Sequence, residues 1–302
     1  MRLLLVDGSN LLIRALMATE RSPMSHQGMD TGALLVFINT LSGHIREEKP
    51  THVIIAWDGP GFRWRQGVDP EYKANRPAVV DGEAAQEYND RKSDAFNMAQ
   101  AFCATAGLMQ IQRRGFEGDD IIAGYWWLYR RKADVVILSS DKDFMQLLTD
   151  GTEQVRLSSY GAPTDRWNEE RVAEHFGCPV EWIPHVMALM GDAGDNVIGI
   201  KGIGPKKAVK ILHAAGGSLE RIEDERVTPH MARVNTNLRL VDLRVPVDGL
   251  ILPPPPPFDP TKLGSALQEE LVQFLLTFNM KSVLSKVYAG SLWSDGVHLT
   301  DN

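Results

Sequence analysis

Cysteine is nearly absent: two residues, Cys103 and Cys178, in a chain of 302. That is too few for a disulfide framework or a thiolate metal site, so both are expected to be reduced and structural. The eight histidines show no HExxH-type spacing and have no cysteine partners, which argues against zinc. Long apolar runs are missing too. Nothing approaches the roughly 20 residues that a bilayer-spanning helix needs. The start, Met1 running into LLLV, has neither a signal-peptide core nor a small-residue cleavage site, so a cytoplasmic protein with no membrane partner is expected. No internal repeat divides the chain, and 43% hydrophobic against 24% charged residues suffices for one large or two modest cores. Excess positive charge is also lacking. The formal charge of −7 is opposite in sign to what a nucleic-acid partner ordinarily meets.

What the chain does have is acids in particular places. The stretch RRGFEGDDIIAGYWWLYRR (113–131) sets Glu117, Asp119 and Asp120 ahead of a strongly apolar helix. Alone, such acids are explained by an N-terminal cap, since a first helical turn offers free N–H groups and the positive end of the helix dipole. Four other segments, however, end apolar runs in the same way: Asp7 after LLLV, Asp58 after VIIAW, Asp141 and Asp143 after VVILSS, and Asp192 and Asp195 in LMGDAGDN. Setting aside these nine acids turns the formal charge of the remainder from −7 to +2. Nine carboxylates facing one another repel strongly, and divalent cations are the natural compensation.

Taken in order, LLLVD reads as a buried strand followed by a turn and a helix start, placing Asp7 at the C-terminal edge of a strand, where open α/β sheets bind ligands. Residues 28–49 read as a helix, THVIIAWD as a strand, 88–106 as an amphipathic helix and LMQIQR as a strand. The EGDD helix, the strand ADVVILSSDKD and a short helix at FMQLL complete an alternation that indicates an α/β fold with a mainly parallel sheet covered on both faces. After about residue 160 the patterns turn helical: NEERVAEHFG, then Trp182 to Met190. Asp192 and Asp195, three apart, are expected on one side of a helical turn. IGIKGIGPKKAVKIL reads as a hairpin entering a helix at Pro205. Gly202 and Gly204 let a DNA backbone approach, and Lys206, Lys207 and Lys210 add charge, which favours duplex binding over a generic basic surface helix.

Between the second strand and the 88–106 helix, GFRWRQGVDPEYKANRPAVVDGE interleaves Arg63, Arg65, Lys73 and Arg76 with Phe62, Trp64 and Tyr72. A solvated surface loop is the bland account. A cationic, aromatic arm suited to a single nucleic-acid strand is the functional one. Five prolines at 253–257 form a stiff connector. LVQFLLTFNMKSVLSKV is expected to fold back as one closing helix, and SDGVHLTDN to fray.

VDGSN, AWDGPGFRW with PEYKANRP, GFEGDDIIAG, SSDKDFMQLL and LMGDAGDNVIGIKGIGPKKA, in this order, resemble the flap endonuclease and 5′ to 3′ exonuclease family, as met in the 5′ nuclease domain of bacterial DNA polymerase I and in stand-alone phage nucleases. The likeness covers about residues 1–290. It implies an α/β core over 1–160 with a central, mostly parallel sheet flanked by helices and a helical arch at 60–92. A helix-three-turn-helix DNA-binding region at 161–252 and a closing segment at 258–302 complete the implied layout. By the same resemblance, Asp7, Asp58, Glu117 and Asp119 hold one Mg²⁺ or Mn²⁺, with Asp141 near both ions, and Asp120, Asp143, Asp192 and Asp195 hold a second, partly through water. Lys73 and Arg76 act on the scissile phosphate, Tyr72 stacks on an unpaired base, and Arg63, Arg65, Gly202, Gly204, Lys206, Lys207 and Lys210 bind DNA. A monovalent cation such as K⁺ belongs at the hairpin. The implied activity is two-metal hydrolysis of DNA bearing a 5′ flap, 5′ overhang or duplex end, by a monomer. Two other classes compete. A catalytically weak DNA-binding relative gains nothing from clustered acids, and a metal-dependent phosphatase has no use for the hairpin and arm.

Overall fold

Leu3, Leu4, Leu5 and Val6 are apolar on both sides of a strand, and a strand of that kind is stable only where both faces are covered. The computed structural model places it there, and describes residues 1–21, 24–61, 63–75, 82–157, 164–260 and 265–294. The first half comprises β1 (Arg2–Asp7), α1 (Gly8–Thr19), β2 (Ser25–His26), β3 (Met29–Asp30), α2 (Gly32–Glu48), β4 (His52–Trp57) and α3 (Trp64–Val68). There follow α4 (Glu83–Thr105), β5 (Met109–Gln112), α5 (Gly118–Tyr129), β6 (Asp134–Leu138), β7 (Glu153–Arg156) and β8 (Asp165–Trp167). The rest is α6 (Glu169–Phe176), α7 (Ile183–Met190), β9 (Gly191–Asp192), β10 (Val197–Ile198), α8 (Pro205–Ala214), α9 (Met231–Val241), α10 (Ser265–Thr277) and α11 (Lys281–Tyr288).

The main sheet runs β5-β4-β1-β6-β7-β8, parallel except for β8. Side chains alternate across β1. Leu4 and Val6 join α1, α2, α4, α10 and α11 in one buried cluster, while Leu3 and Leu5 join Ile121, Ile122, Tyr125 and Trp126 of α5 in another. Truncating one of these fully buried leucines to alanine costs about 2–5 kcal/mol. A further cluster is built from α6 to α9 and includes Tyr72, Met145 and Leu148.

Register carries the functional consequence. Asp7 lies beside Ala56, and Val6 lies beside both Ile55 and Leu138. The residues just beyond β4 and β6, Asp58 and Asp141, therefore emerge at the same sheet edge as Asp7. Trp57 anchors that edge: it is fully buried, stacks on Phe37 at 6.0 Å, and its indole N–H donates to Gln110 Oε1 at 2.9 Å. Gly8 must be small here, because a Cβ would come within 2.8 Å of the Trp57 ring.

Three expectations need correction. The helix expected at 28–49 starts at Gly32, because Ser25–His26 and Met29–Asp30 pair as a small hairpin. The closing segment is two helices, α10 and α11, separated at Asn279, whose φ of 54° is left-handed and cannot continue a helix. Asp192 and Asp195 belong to the β9–β10 hairpin rather than to a helical turn.

Candidate active site

Each acid at the edge starts a local structure that needs it. Asp7 caps α1, with Oδ1 accepting from the Asn10 N–H at 2.9 Å, while Oδ2 accepts from the Ser139 hydroxyl at 2.8 Å. Asp58 Oδ1 accepts from the Gly118 N–H at 2.9 Å, drawing β4 to the start of α5. Asp141 caps the 3₁₀ turn Lys142–Leu147 by accepting from the Asp143 N–H at 2.9 Å. Asp192 accepts from the Gly194 N–H at 2.7 Å and pairs with Lys142 Nζ at 2.9 Å. The chain enters the hairpin carrying it at Gly191, φ 74°, where a Cβ would lie 2.3 Å from Gly199 N.

Capping does not account for the electrostatics. Burial, with Asp58 and Asp141 nearby, raises Asp7 to about 7 despite its two hydrogen bonds. Burial, then Asp141, Asp7, Glu117 and Asp58, pushes Asp119 well above the carboxylate range. Asp143 rises to about 8 through burial and the charges of Asp141 and Asp192, and its buried Oδ1 has no hydrogen-bond partner. Asp141 is raised by burial, Asp195 and Asp192, and it in turn presses on Asp7 and Asp119. It thus stands between the sheet-edge acids and the hairpin acids. Among the described residues no three side chains are already closed into a ligand shell. The acids are instead mutually repelling and short of cations, and an all-oxygen set of this kind suits hard divalent ions.

Part of the compensation comes from the arm. Glu117 Oε1 meets Lys73 Nζ at 2.5 Å and Arg63 Nε at 2.6 Å; Oε2 meets the Tyr72 hydroxyl at 2.9 Å and Arg65 Nη1 at 3.2 Å. Burial would raise Glu117, but Lys73 and the two arginines outweigh it and hold the carboxyl below its usual range. Lys73 sits in the left-handed region at φ 57°, with its N–H donating to Asp195 O at 2.9 Å. Asp195 Oδ2 lies 2.9 Å from the Tyr72 hydroxyl and 3.5 Å from Lys73 Nζ.

This geometry corrects three expected roles. Asp120 does not face a cation site: its oxygens are taken by Arg65 Nη2 at 2.9 Å, Trp64 Nε1 at 3.1 Å and the Glu117 N–H at 2.9 Å. Arg65, only 3% exposed, cannot touch DNA. Tyr72 is buried as well, and burial beside Glu117 and Asp195 raises its phenol, keeping it a donor rather than an exposed stacking ring. Arg76 and Phe62, with the middle of the expected arch, lie outside the described residues.

The hairpin side is open. Gly202, Gly204, Lys206, Lys207 and Lys210 are all exposed, and a Cβ on either glycine would meet nothing within 4 Å. A phosphate backbone has room to approach the N-terminus of α8 there. Lys207 Nζ donates to the Gly202 carbonyl at 2.8 Å, so a monovalent ion at this turn would share that oxygen with an ammonium.

Two family descriptions match the chain in succession: "5'-3' exonuclease, N-terminal resolvase-like domain" over residues 2–177 and "5'-3' exonuclease, C-terminal SAM fold" over 178–243. The chain belongs to the 5′-3′ exonuclease family. A 5′-3′ exonuclease of Bacillus subtilis (strain 168) is 33% identical over 214 residues, 70% of this chain and 69% of that one. One from Aquifex aeolicus is 29% identical over 303 residues, covering 94% of each. A DNA polymerase I of Caldicellulosiruptor bescii is 33% identical over 226 residues, 74% of this chain but 25% of the polymerase. In solved structures, the T5 5′-exonuclease with zinc bound has a TM-score of 0.68 at 22% identity over 95% of this chain and 97% of that one. Flap endonuclease-1 from Methanococcus jannaschii has 0.62 at 19%, over 97% and 91%. At those identities the likeness is one of fold.

In this chain the acids are backed by residues outside the expected set. Ser139 donates to Asp7 and accepts from the Asp141 N–H at 3.0 Å, bridging two acids. Gln154 donates to Ser139 O at 3.0 Å and to Asp141 O at 2.5 Å, steadying the same turn from β7. Lys142 neutralises Asp192. The signal for Ser139 and Lys142 was available, since both sit inside SSDKD.

Proposed function

We propose that this chain is a structure-selective 5′ nuclease that hydrolyses DNA phosphodiesters near single-strand/duplex junctions, as a flap endonuclease and 5′ to 3′ exonuclease. The observation that carries this is the group Asp7, Asp119, Asp141 and Asp143, mutually repelling at the C-terminal edge of a parallel sheet, with Asp7 buried and the other three partly buried. Asp7, Asp58, Glu117, Asp119 and Asp141 would hold one divalent ion, and Asp141, Asp143, Asp192 and Asp195 a second, Mg²⁺ or Mn²⁺. Such ions, when bound, supply the acidified water and the charge stabilisation that phosphodiester hydrolysis requires.

The chain's own groups do the rest. Lys73 and Arg63, released from Glu117, present cations to the phosphate, where preorganised positive charge favours the transition state over the ground state. Arg76, the next cation along the arm, is assigned to the same phosphate. Gly202, Gly204 and the lysines of α8 hold the duplex away from the cut, fixing the distance between duplex end and acids. K⁺ at the hairpin turn would add charge beside the same phosphates. The T5 flap endonuclease has been crystallised with DNA and metal ions, and a substrate of that class, a duplex with a 5′ flap or overhang, fits this layout. The protein acts as a monomer in the cytoplasm.

The test is incubation of a 5′-labelled flap duplex with Mg²⁺, with and without EDTA. Release of short 5′ products from the junction only when Mg²⁺ is free supports the reading. Cleavage that survives EDTA, or none at any Mg²⁺ concentration, contradicts it.

A further inference from the structure

Arg65 lies in α3, between the arm and the core, and its guanidinium is spent entirely inside the protein. Nη1 donates to Glu117 Oε2 at 3.2 Å and to Asp120 Oδ2 at 3.1 Å, and Nη2 pairs with Asp120 Oδ1 at 2.9 Å. Nε donates to the Leu240 carbonyl at 2.8 Å. Leu240 is in the last turn of α9, where backbone carbonyls have no partner within the helix and favour a cation. The plane also stacks over Trp64, 4.6 Å from the ring centroid.

Neutralising Asp120 needs only the fork of Nη1 and Nη2. The remaining bonds join two things that the proposed function requires in register: a carboxylate of the acid site and the end of the helical region that carries the DNA-facing hairpin. On Glu117 the division is sharp. Oε2 faces inward to Arg65 and Tyr72, and Oε1 faces the partly exposed Lys73 and Arg63. Resting on the nuclease reading of this site, we propose that Arg65 is a positioning residue, holding Glu117 by Oε2 so that Oε1 points to the cation site, and locking the first turn of α5 to the C-terminal end of α9. A lysine cannot take its place, since one ammonium cannot serve Asp120, Glu117 and Leu240 in a plane.

The test separates positioning from charge balance. Arg65→Met alone strands Asp120 and lowers the melting temperature. Adding Asp120→Asn removes that stranded charge and restores the melting temperature. In the paired variant, Mn²⁺ affinity, titrated calorimetrically on protein without DNA, stays about tenfold or more weaker than in wild type, the usual cost of losing a group that orients a ligand. On a 5′-flap duplex its kcat falls while KM holds. Arg65→Lys, which keeps the charge and folds without the second change, shows the same Mn²⁺ loss. Wild-type Mn²⁺ affinity in either variant overturns the proposal. A wild-type protein that binds Mn²⁺ yet never cleaves the flap contradicts the proposed function and leaves the positioning result standing on the titration.

Discussion

Replacing Lys73 with alanine acts on binding and on chemistry with opposite signs. Its ammonium lies 2.5 Å from Glu117 and 3.5 Å from Asp195, with the side chain only 10% exposed, so solvent screens it weakly. Stranding a buried charge outright costs about 3–5 kcal/mol. Glu117 keeps Arg63 and Arg65, so Lys73→Ala should cost the metal-free protein only about 1–2 kcal/mol, the rest of the charge still being compensated. A divalent ion that takes Glu117 must first displace Lys73, so the same energy returns as tighter ion binding, about 5–30-fold. Cleavage moves the other way. Loss of a preorganised cation at the phosphate should lower the single-turnover rate by about 10²-fold. Calorimetric Mn²⁺ titration and single-turnover cleavage of a flap duplex measure the two arms. If ion binding weakens along with the rate, Lys73 organises the site rather than competing for it. If the rate is unchanged, it never meets the phosphate.

Lys206→Ala with Lys207→Ala should weaken duplex binding at every sequence and reduce the slope of log affinity against log salt by about 1.8, with the saturated cleavage rate near wild type; an unchanged slope, measured in Ca²⁺, removes the hairpin from the interface. Asp7 and Asp143 titrate near 7 and 8 in the fold against an ordinary 3.8, so the folded chain binds more protons than the unfolded one and loses stability as pH rises towards 8. Below about pH 6.5 histidines such as His44 and His185, lowered by burial, pull the other way, leaving pH 6.5–8.5 as the clean window. In EDTA the melting temperature should fall across that window, and Mn²⁺ should recover more at pH 8 than at pH 6.5; a flat profile would mean these acids are already compensated.

The core was legible because its signal is local. LLLV, HVIIAW and VVIL are short apolar runs alternating with helical segments, the pattern of buried parallel strands, and each hands an acid to the same edge. In the arm, composition does not reveal direction. FRWRQG looks like an exposed cationic strip, yet Arg65 turns inward to carboxylates and a carbonyl that lie 52, 55 and 175 residues away in sequence. For Asp120 the capping account holds: Glu117 and Asp120 have capping-box spacing, and the structure closes that box, with the Asp120 side chain on the Glu117 N–H. Spacing alone makes the Asp192–Asp195 turn look helical. Gly191 and Gly199, which pack backbone against backbone, decide for a hairpin.

The central claim is that these acids perform cleavage of DNA rather than only shaping the edge of a sheet. Asp141 tests it most directly, since it interacts with Asp7 and Asp119 on one side and with Asp192 and Asp195 on the other. The measurement compares wild type and Asp141→Asn on one 5′-flap duplex: single-turnover cleavage in saturating Mg²⁺, and binding in Ca²⁺. The account predicts cleavage down by about 10³-fold or more, as for removal of a central electrostatic group, with binding equal to or tighter than wild type because a charge facing phosphate is gone. Cleavage retained within about tenfold of wild type, too small a loss for such a group, would contradict it.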